Sequence, residues 1–344
     1  ACAALAQALA QLGQRNIPEA CQNLPLAAVE AMTELAKTLK SARCGVILLG
    51  AQAQAHPDYA LLWAWCAQLA QDNDLHLGII PEANGVGAYQ VGALPKAGGL
   101  PAQAQWDAHL KAYLLVGLEP DADTGNPSSA ETALAQAQWV VGLSAYHNPS
   151  LERHAHVILP IAEFGEYAGS RVNGMGLRQS FPAAVSPPGA VRPAWKVLRV
   201  LANHLALPGF AYEDLAAVQA EIAALPPVPL DNRLTGGCDL AAQLPATGLV
   251  RCGATPLYAT DALVRRAQAL QATPDAQAQA QVRLHPETAA RLGLAAALQV
   301  WVQQGEAGQV FTLNLDATLV PEVVVMPGGA LGAACGLVEL AEVR

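Results

Sequence analysis

Cys44-Gly-Val-Ile-Leu-Leu-Gly50 is the stretch on which the fold turns: four apolar residues in a row, closed at both ends by glycine. A strand buried on both faces reads as such an unbroken run, because neither side meets water. Four comparable runs follow, at Leu75 to Ile80, Tyr113 to Leu118, Trp139-Val-Val-Gly-Leu143 and His156-Val-Ile-Leu-Pro160. Helical patterns separate them. One runs from about Pro57 to Leu69, with Pro57 and Asp58 suited to a first turn. Another, ending at Ala137, is capped by Ser128 or Ser129 and carries Glu131 in its first turn. Parallel neighbours need crossover connections, so the alternation specifies an α/β fold with one doubly wound, mainly parallel sheet.

Upstream, Leu5, Leu9 and Leu12 recur at helical spacing, Pro18 interrupts, and Leu26 to Leu39 resumes the pattern. Downstream, glycines 165, 169, 174 and 176 punctuate a polar stretch that reads as a long ordered loop. An amphipathic helix spans Pro193 to Leu205, and Pro226, Pro227 and Pro229 mark a boundary. Beyond it, Gln281-Val-Arg-Leu284, Leu298-Val-Trp-Val302, Gln309 to Leu315 and Val323 to Met326 read as short strands. With a small helix at Pro286 to Leu292 between the first two, they suggest a compact β-barrel. The expected organisation is a helical segment at 1–40, an α/β domain at 41–230 and a β-barrel domain at 231–344.

The chain has 344 residues, enough for two cores; 53% are apolar and 14% charged, which excludes wholesale disorder. The net charge is −9 with no basic block, so neither a nucleic-acid interface nor a polybasic membrane patch is expected. The first basic residue is Arg15, which leaves no charged n-region for a signal peptide. The most apolar stretch, Val323 to Val338, is broken by Pro327 and four glycines, so direct membrane insertion is not expected. Seven cysteines, at 2, 21, 44, 66, 238, 252 and 335, contain no C-x-x-C. They read as reduced, small apolar residues in a cytosolic setting, without the short spacings of a disulfide framework or a metal cluster.

Few motifs carry chemistry. Asn84-Gly-Val-Gly87 follows a strand and invites a phosphate-cradle reading, but Gln90 stands where a third glycine belongs, and a tight strand-to-helix turn fits better. His154 and His156 could offer two imidazoles to a metal, although no third ligand is nearby in sequence. Ser144 and His147 lack the G-x-S-x-G elbow of a serine nucleophile. No catalytic residue and no metal ligand is assigned.

Several stretches together carry a family resemblance. Ala155-His-Val-Ile-Leu-Pro160 resembles the A-D-V-V-L-P strand of molybdopterin oxidoreductases, and Glu166 to Gln179 resembles their E-x-x-G-T-x-x-N-x-E-G-R-x-Q loop. Arg192 to Asn203 is similar to the R-P-x-W-x-I-L-x-x-L helix that follows it, and Pro286 to Leu292 to the C-terminal dinucleotide-binding barrel. Within that superfamily, Asn84 to Pro95 and the Tyr258 to Gln271 segment, with its Asp261, Arg265 and Arg266, look most like the large iron–sulfur subunit of bacterial NADH:quinone oxidoreductase, respiratory complex I.

The resemblance implies a molybdopterin oxidoreductase-like α/β domain followed by a barrel of the double-psi type. It makes Asn84, Gly87, Asn173, Gly176 and Gln179 vestigial pterin-site positions. Met175 and Leu177 stand where the family loop has Glu and Arg, and no molybdenum ligand can be matched, so no cofactor is expected in this fragment. Met175 and Leu177 are expected to plug the crevice. By the same resemblance, [2Fe–2S] and [4Fe–4S] clusters belong to a missing N-terminal domain of a longer polypeptide. That domain and the other peripheral-arm subunits of complex I are the implied partners, at the cytoplasmic face of the inner membrane. Electron transfer from NADH through flavin and clusters to quinone, coupled to proton translocation, belongs to the assembly. The alternative is a truncated molybdopterin-dependent oxidoreductase that still holds a pterin dinucleotide between its two domains.

Overall fold

The computed structural model describes residues 2–226 and 248–343 apart from positions 15, 18, 23, 43, 55, 57, 329, 330 and 332–334. Arg15, Pro18, Pro57, Pro227, Pro229 and Cys238 therefore lie outside the described residues. Contacts divide the chain into two units, the first reaching Glu82 and the second starting at Ala83 and containing the barrel. That division falls well inside the stretch assigned to one α/β domain, and the expected boundary at 230 is outside the described residues.

In the first unit, α1 (Cys2–Leu12), α2 (Leu26–Ala31) and α3 (Thr33–Ser41) precede β1 (Val46–Leu49), α4 (Ala51–Gln54), α5 (Tyr59–Asp72) and β2 (His76–Ile79). The alanines of α1 let helix axes approach closely: Ala4, Ala8 and Leu9 share a core with Val29, Ala36, Trp65 and Leu69. β1 and β2 are parallel, with Val46 opposite His76 and Leu49 opposite Ile79. A second cluster packs Leu49, Trp63 and Cys66 together, with Cys2 against it.

The second unit opens with α6 (Gly85–Gln90) and α7 (Ala102–Asp107). Then β3 (Ala112–Val116), α8 (Pro127–Gln136), β4 (Trp139–Ser144), α9 (Pro149–His154) and β5 (Val157–Pro160) form a parallel three-stranded layer. Asn126 caps α8 by accepting from Ser129 N at 3.3 Å, so the cap is the residue before Pro127 rather than either serine. Tyr113, Leu115, Val140, Leu134 and Leu151 fill one side of the sheet, each buried side chain being worth about 1.5–3 kcal/mol. Leu151 lies directly on Gly142, where a Cβ would come within 2.9 Å of its methyls. The other side leaves Leu114, Val116, Trp139 (61% exposed) and Val157 open.

The expectation of one five-stranded sheet is corrected: the strands are parallel but fall into two sheets, β1-β2 and β3-β4-β5. An unbroken apolar run specifies a strand but not which neighbour it pairs with. The expected burial of both faces is corrected as well, since Val46 and Leu48 of β1 and Trp139 and Val157 of the second sheet are exposed. A second correction concerns the Gly-rich loop. Gly169 to Phe181 is a hairpin of β6 (Gly169–Val172) and β7 (Arg178–Phe181), turned by Asn173 and by Gly176 at φ +80°.

After α10 (Ala194–His204) and α11 (Leu215–Ala224) comes a closed six-stranded barrel. Its segments are β8 (Leu249–Ala254), α12 (Ala262–Arg266), α13 (Gln268–Gln271), α14 (Pro274–Gln279), β9 (Val282–Leu284), α15 (Pro286–Arg291), β10 (Gln299–Gln304), β11 (Ala307–Leu315), β12 (Val323–Pro327) and β13 (Cys335–Glu342). The strand order is β10-β11-β9-β12-β8-β13, with β9–β11 and β8–β12 parallel. Val282, Leu284, Val300, Val302 and Val324 are fully buried inside. Arg251 shares that interior at 1% exposure. Its guanidinium donates to Gln304 Oε1 (2.7 Å), Pro327 O (2.8 Å) and Leu331 O, and burial pushes its pKa down to about 10.

Candidate functional site

In open α/β sheets, ligands bind beyond the carboxyl ends of the strands. Here those ends carry Glu119, Asp121 and Asp123 after β3, Ser144 to Asn148 after β4, and Glu163 and Glu166 after β5. Glu119 is 5% exposed, and a buried carboxylate needs charged partners. Arg265 on α12 supplies one: Nε and Nη2 donate to Glu119 Oε2 at 3.2 and 2.9 Å, Nη2 also to Asp123 Oδ1 at 2.9 Å, and Nη1 to Ala259 O at 3.0 Å. Arg266 supplies the other. Its Nη1 lies 2.8 Å from Glu119 Oε1, close enough for ion pairing but off the hydrogen-bond axis, so that oxygen has no aligned donor. Arg266 Nη2 donates to His147 O at 2.6 Å, and its guanidinium stacks 4.4 Å above the Tyr146 ring centre.

The surroundings are acidic. Burial, followed by the charge of Glu163, holds the Tyr146 phenol above its usual pKa, against the opposing pull of Arg266. Asp123 Oδ2 accepts from Glu119 N at 2.7 Å, and Asp121 Oδ1 from Asn148 Nδ2 at 2.8 Å. Beside the cluster, a groove of about 330 Å3 is lined by Asp121, Tyr258, Arg265, Gln271, Phe311 and Pro327. The cation in its wall, Arg265, is already paired.

The five vestigial positions gather elsewhere in the unit, around the hairpin. Asn84 adopts the left-handed conformation (φ +60°) at the start of α6, and its Oδ1 accepts from Val172 N at 2.9 Å. A Cβ on Gly87 would collide with that oxygen, so this glycine makes room for the Asn84 side chain. Asn173 Oδ1 accepts from Met175 N (3.0 Å) and Leu177 N (2.9 Å), and Gly176 completes the turn. Gln179 is exposed on β7 opposite Arg171. Met175 is 89% exposed and Leu177 58%, so neither plugs a crevice; both point out from the turn.

The remaining motifs resolve into local ties. Ser144 Oγ donates to Tyr146 O at 2.8 Å, while His147 faces Glu152 at 2.6 Å, so serine and imidazole do not meet. His154 ends α9 and bonds Glu131 Oε2 at 2.5 Å, whereas His156 Nδ1 accepts from Val140 N at 3.1 Å. These imidazoles do not converge on a common point. Glu131 accepts from Ser150 and His154 at once, placing the acid between hydroxyl and imidazole, which is the wrong order for a charge-relay nucleophile. Among the described residues, no group of three or more His, Cys, Asp or Glu is arranged to hold a metal ion.

Sequence reasoning missed Glu119 and Asp123 as partners of the two arginines, which lie more than 140 residues away. The arginine doublet was the signal; its counter-ions had none.

The model of the molybdopterin oxidoreductase family matches residues 13–204, more than half of the chain. An NADH-quinone oxidoreductase subunit of Streptomyces coelicolor is 34% identical over 228 residues, covering 63% of this chain and 25% of that protein. The 78 kDa subunit of mitochondrial NADH-ubiquinone oxidoreductase from Neurospora crassa is 25% identical over 199 residues, 56% of this chain and 25% of that protein. A nitrate reductase of Synechocystis is 29% identical over 112 residues, 32% of this chain and 16% of that protein. The chain thus spans about a quarter or less of the length of these relatives. Among solved structures, acetylene hydratase from Pelobacter acetylenicus superposes with a TM-score of 0.51 at 15% identity, covering 70% of this chain and 46% of that one, which supports the fold alone.

Proposed function

Because this chain belongs to the molybdopterin oxidoreductase family, we propose that it is the part of a complex I peripheral-arm subunit in which that family's fold is kept as scaffold without its pterin. The similarity to NADH-quinone oxidoreductase subunits supports the assembly, and the strand-end cluster supports the loss of the cofactor. One observation carries the reading. Arg265 and Arg266, the cations that reach the carboxyl ends of the strands, are consumed by Glu119 and Asp123, while Asp121, Glu163 and Glu166 add further negative charge there. A pyrophosphate-bearing pterin is an anion and needs donors and cations at its seat. At the strand ends the residues present do not fit it: like charges would face it, and the arginines would have to abandon a buried carboxylate. The glycine that could cradle a phosphate, Gly87, has its space taken by Asn84 Oδ1.

On this reading the chain supplies packing surface rather than chemistry. Its partners are an iron–sulfur domain bearing [2Fe–2S] and [4Fe–4S] clusters and the neighbouring subunits of the arm, at the cytoplasmic face of the inner membrane. Among the described residues, no helix is long and apolar enough to cross a membrane. The mixed parallel and antiparallel closure of the six strands supports a double-psi barrel. The competing reading, a pterin-dependent oxidoreductase piece, draws on the similarity to a nitrate reductase. The two part at one experiment. The protein is purified from a host with active pterin synthesis, then assayed for molybdenum and tungsten by mass spectrometry and for pterin by fluorescence after oxidative release. Background levels of both are expected; stoichiometric metal with pterin overturns the scaffold reading.

A further inference from the structure

Cys252 and Cys335 stand directly opposite one another across the antiparallel β8–β13 pair. Opposed residues of such a pair face the same side, with Cα atoms roughly 4.5–5.5 Å apart. A disulfide spans Cα atoms about 4.4–6.8 Å apart, so the register meets the backbone spacing that a bridge between the two cysteines requires. Both cysteines are free and half-buried, and burial pushes the Cys252 thiol above its usual pKa.

A second observation lies beside them. The Arg251 guanidinium is held by neutral oxygens alone, its Nε has no hydrogen-bond partner, and it interacts electrostatically with Cys335. Arg251 is the residue next to Cys252 on β8 and turns into the barrel, so the two thiols lie on the other, more accessible face, where a small disulfide can reach them. Gly253 and Gly336 follow the two cysteines in their strands, and Gly336 at φ +129° occupies backbone space that only glycine takes easily.

We propose that Cys252 and Cys335 form a redox-responsive pair that closes to a disulfide across β8 and β13 in exchange with a low-molecular-weight disulfide. The Cys335 thiolate attacks one sulfur of the small disulfide, forming a mixed disulfide and releasing one small thiolate. The Cys252 thiolate then attacks the Cys335 sulfur and releases the second. The protein loses two electrons and two protons overall, and the small disulfide is reduced to two thiols. The product fastens the first barrel strand covalently to the last, and excess small thiol reverses it.

The test equilibrates the full chain in glutathione buffers of graded oxidised-to-reduced ratio, quenches in acid, alkylates, and maps peptides without reduction. The expected result is a Cys252–Cys335 cross-linked peptide, two hydrogens lighter than its separate halves, that grows with the oxidised fraction and disappears on adding dithiothreitol. Both thiols leave the titratable pool together. The oxidised protein melts at higher temperature than the reduced protein, and Cys252→Ser removes that difference. Recovery of Cys252 and Cys335 as separate alkylated or glutathionylated residues at every ratio overturns the proposal. So does a cross-link confined to Cys2 and Cys66, whose thiols are hydrogen-bonded to each other in the first unit. Peptide mapping of the unmodified protein decides the matter even if a serine variant fails to fold.

Discussion

Glu119→Gln removes one charge from the strand-end cluster while keeping its volume. Stripping one partner from a fully buried ion pair costs about 3–5 kcal/mol, because the remaining charge stays behind without compensation. Here the penalty is softened. Arg265 and Arg266 keep 16% and 32% of their side-chain surface, and Asp123 still faces Arg265 at 2.9 Å. The amide adds an N–H donor where only donors surround it, which restores part of the cost. The balance is a loss of about 2 kcal/mol, local to α12 and the segment after β3. At about 1.4 kcal/mol per factor of ten, that is roughly a thirtyfold faster amide exchange in peptides covering Glu119 to Thr124 and Ala262 to Arg266. Hydrogen–deuterium exchange with mass readout measures it directly, and peptides of α1 and α3 serve as an internal reference. A change below about threefold in both peptides would mean that the two arginines are not holding this carboxylate, and the argument against a bound anion would go with it.

Asn84→Ala removes the acceptor for Val172 N and puts a residue with no local side-chain bond in a left-handed conformation; a loss of about 1–3 kcal/mol should appear as faster exchange in the β6–β7 hairpin. Gly308→Ala would drive a methyl into the Trp301 ring, and an overpacking cost of about 1–3 kcal/mol should shift the tryptophan-monitored urea midpoint downward, whereas an unchanged midpoint would count against the described β10–β11 register. Burial pushes the Glu131 carboxyl up, but hydrogen bonds from Ser150 and His154 and the charges of His154 and Arg153 outweigh it, so its pKa is depressed in the folded protein. Its contribution is therefore fully present above the unfolded carboxylate value of about 4.3 and lost as pH falls through the folded one. Glu131→Gln should flatten the acid limb of a stability-versus-pH curve; an identical limb in the variant would contradict the assignment.

What the sequence revealed and what it hid divide along physical lines. Val46–Leu49, Ala112–Val116, Trp139–Ser144 and Val157–Pro160 were visible because each writes itself as an apolar run between turn residues, although Val46, Leu114, Trp139 and Val157 show that the run did not mean two covered faces. Their neighbours were not visible, since pairing is a tertiary choice. β8 and β13 escaped notice for the opposite reason. Leu249–Ala254 contains an arginine and a glycine, and Cys335–Glu342 starts on a glycine bend, yet tertiary contacts bury Arg251 all the same. The β6–β7 hairpin carries almost no apolar alternation and is specified instead by Asn173 accepting from two backbone amides. At the strand ends, Arg265 and Arg266 drew attention as a doublet, but a carboxylate 146 positions away leaves no local trace. Met175 and Leu177 misled because loss of charge at a motif position was taken for burial, and a turn tip exposes whatever it carries.

The pairing order of the barrel also sets a timetable for its making. β8 is the earliest of the six strands along the chain, yet both its neighbours, β12 and β13, are the last two. During synthesis it must wait, unpaired, while some eighty residues are added, with the Arg251 side chain seeking acceptors at 304, 327 and 331 that do not yet exist. The hairpin of β10 and β11, by contrast, assembles from adjacent residues as soon as it emerges. Removing Cys335–Glu342 would leave two raw edges, on β8 and on β10, rather than trim one strand. A ribosome stalled just short of that segment would display an open, adhesive cylinder.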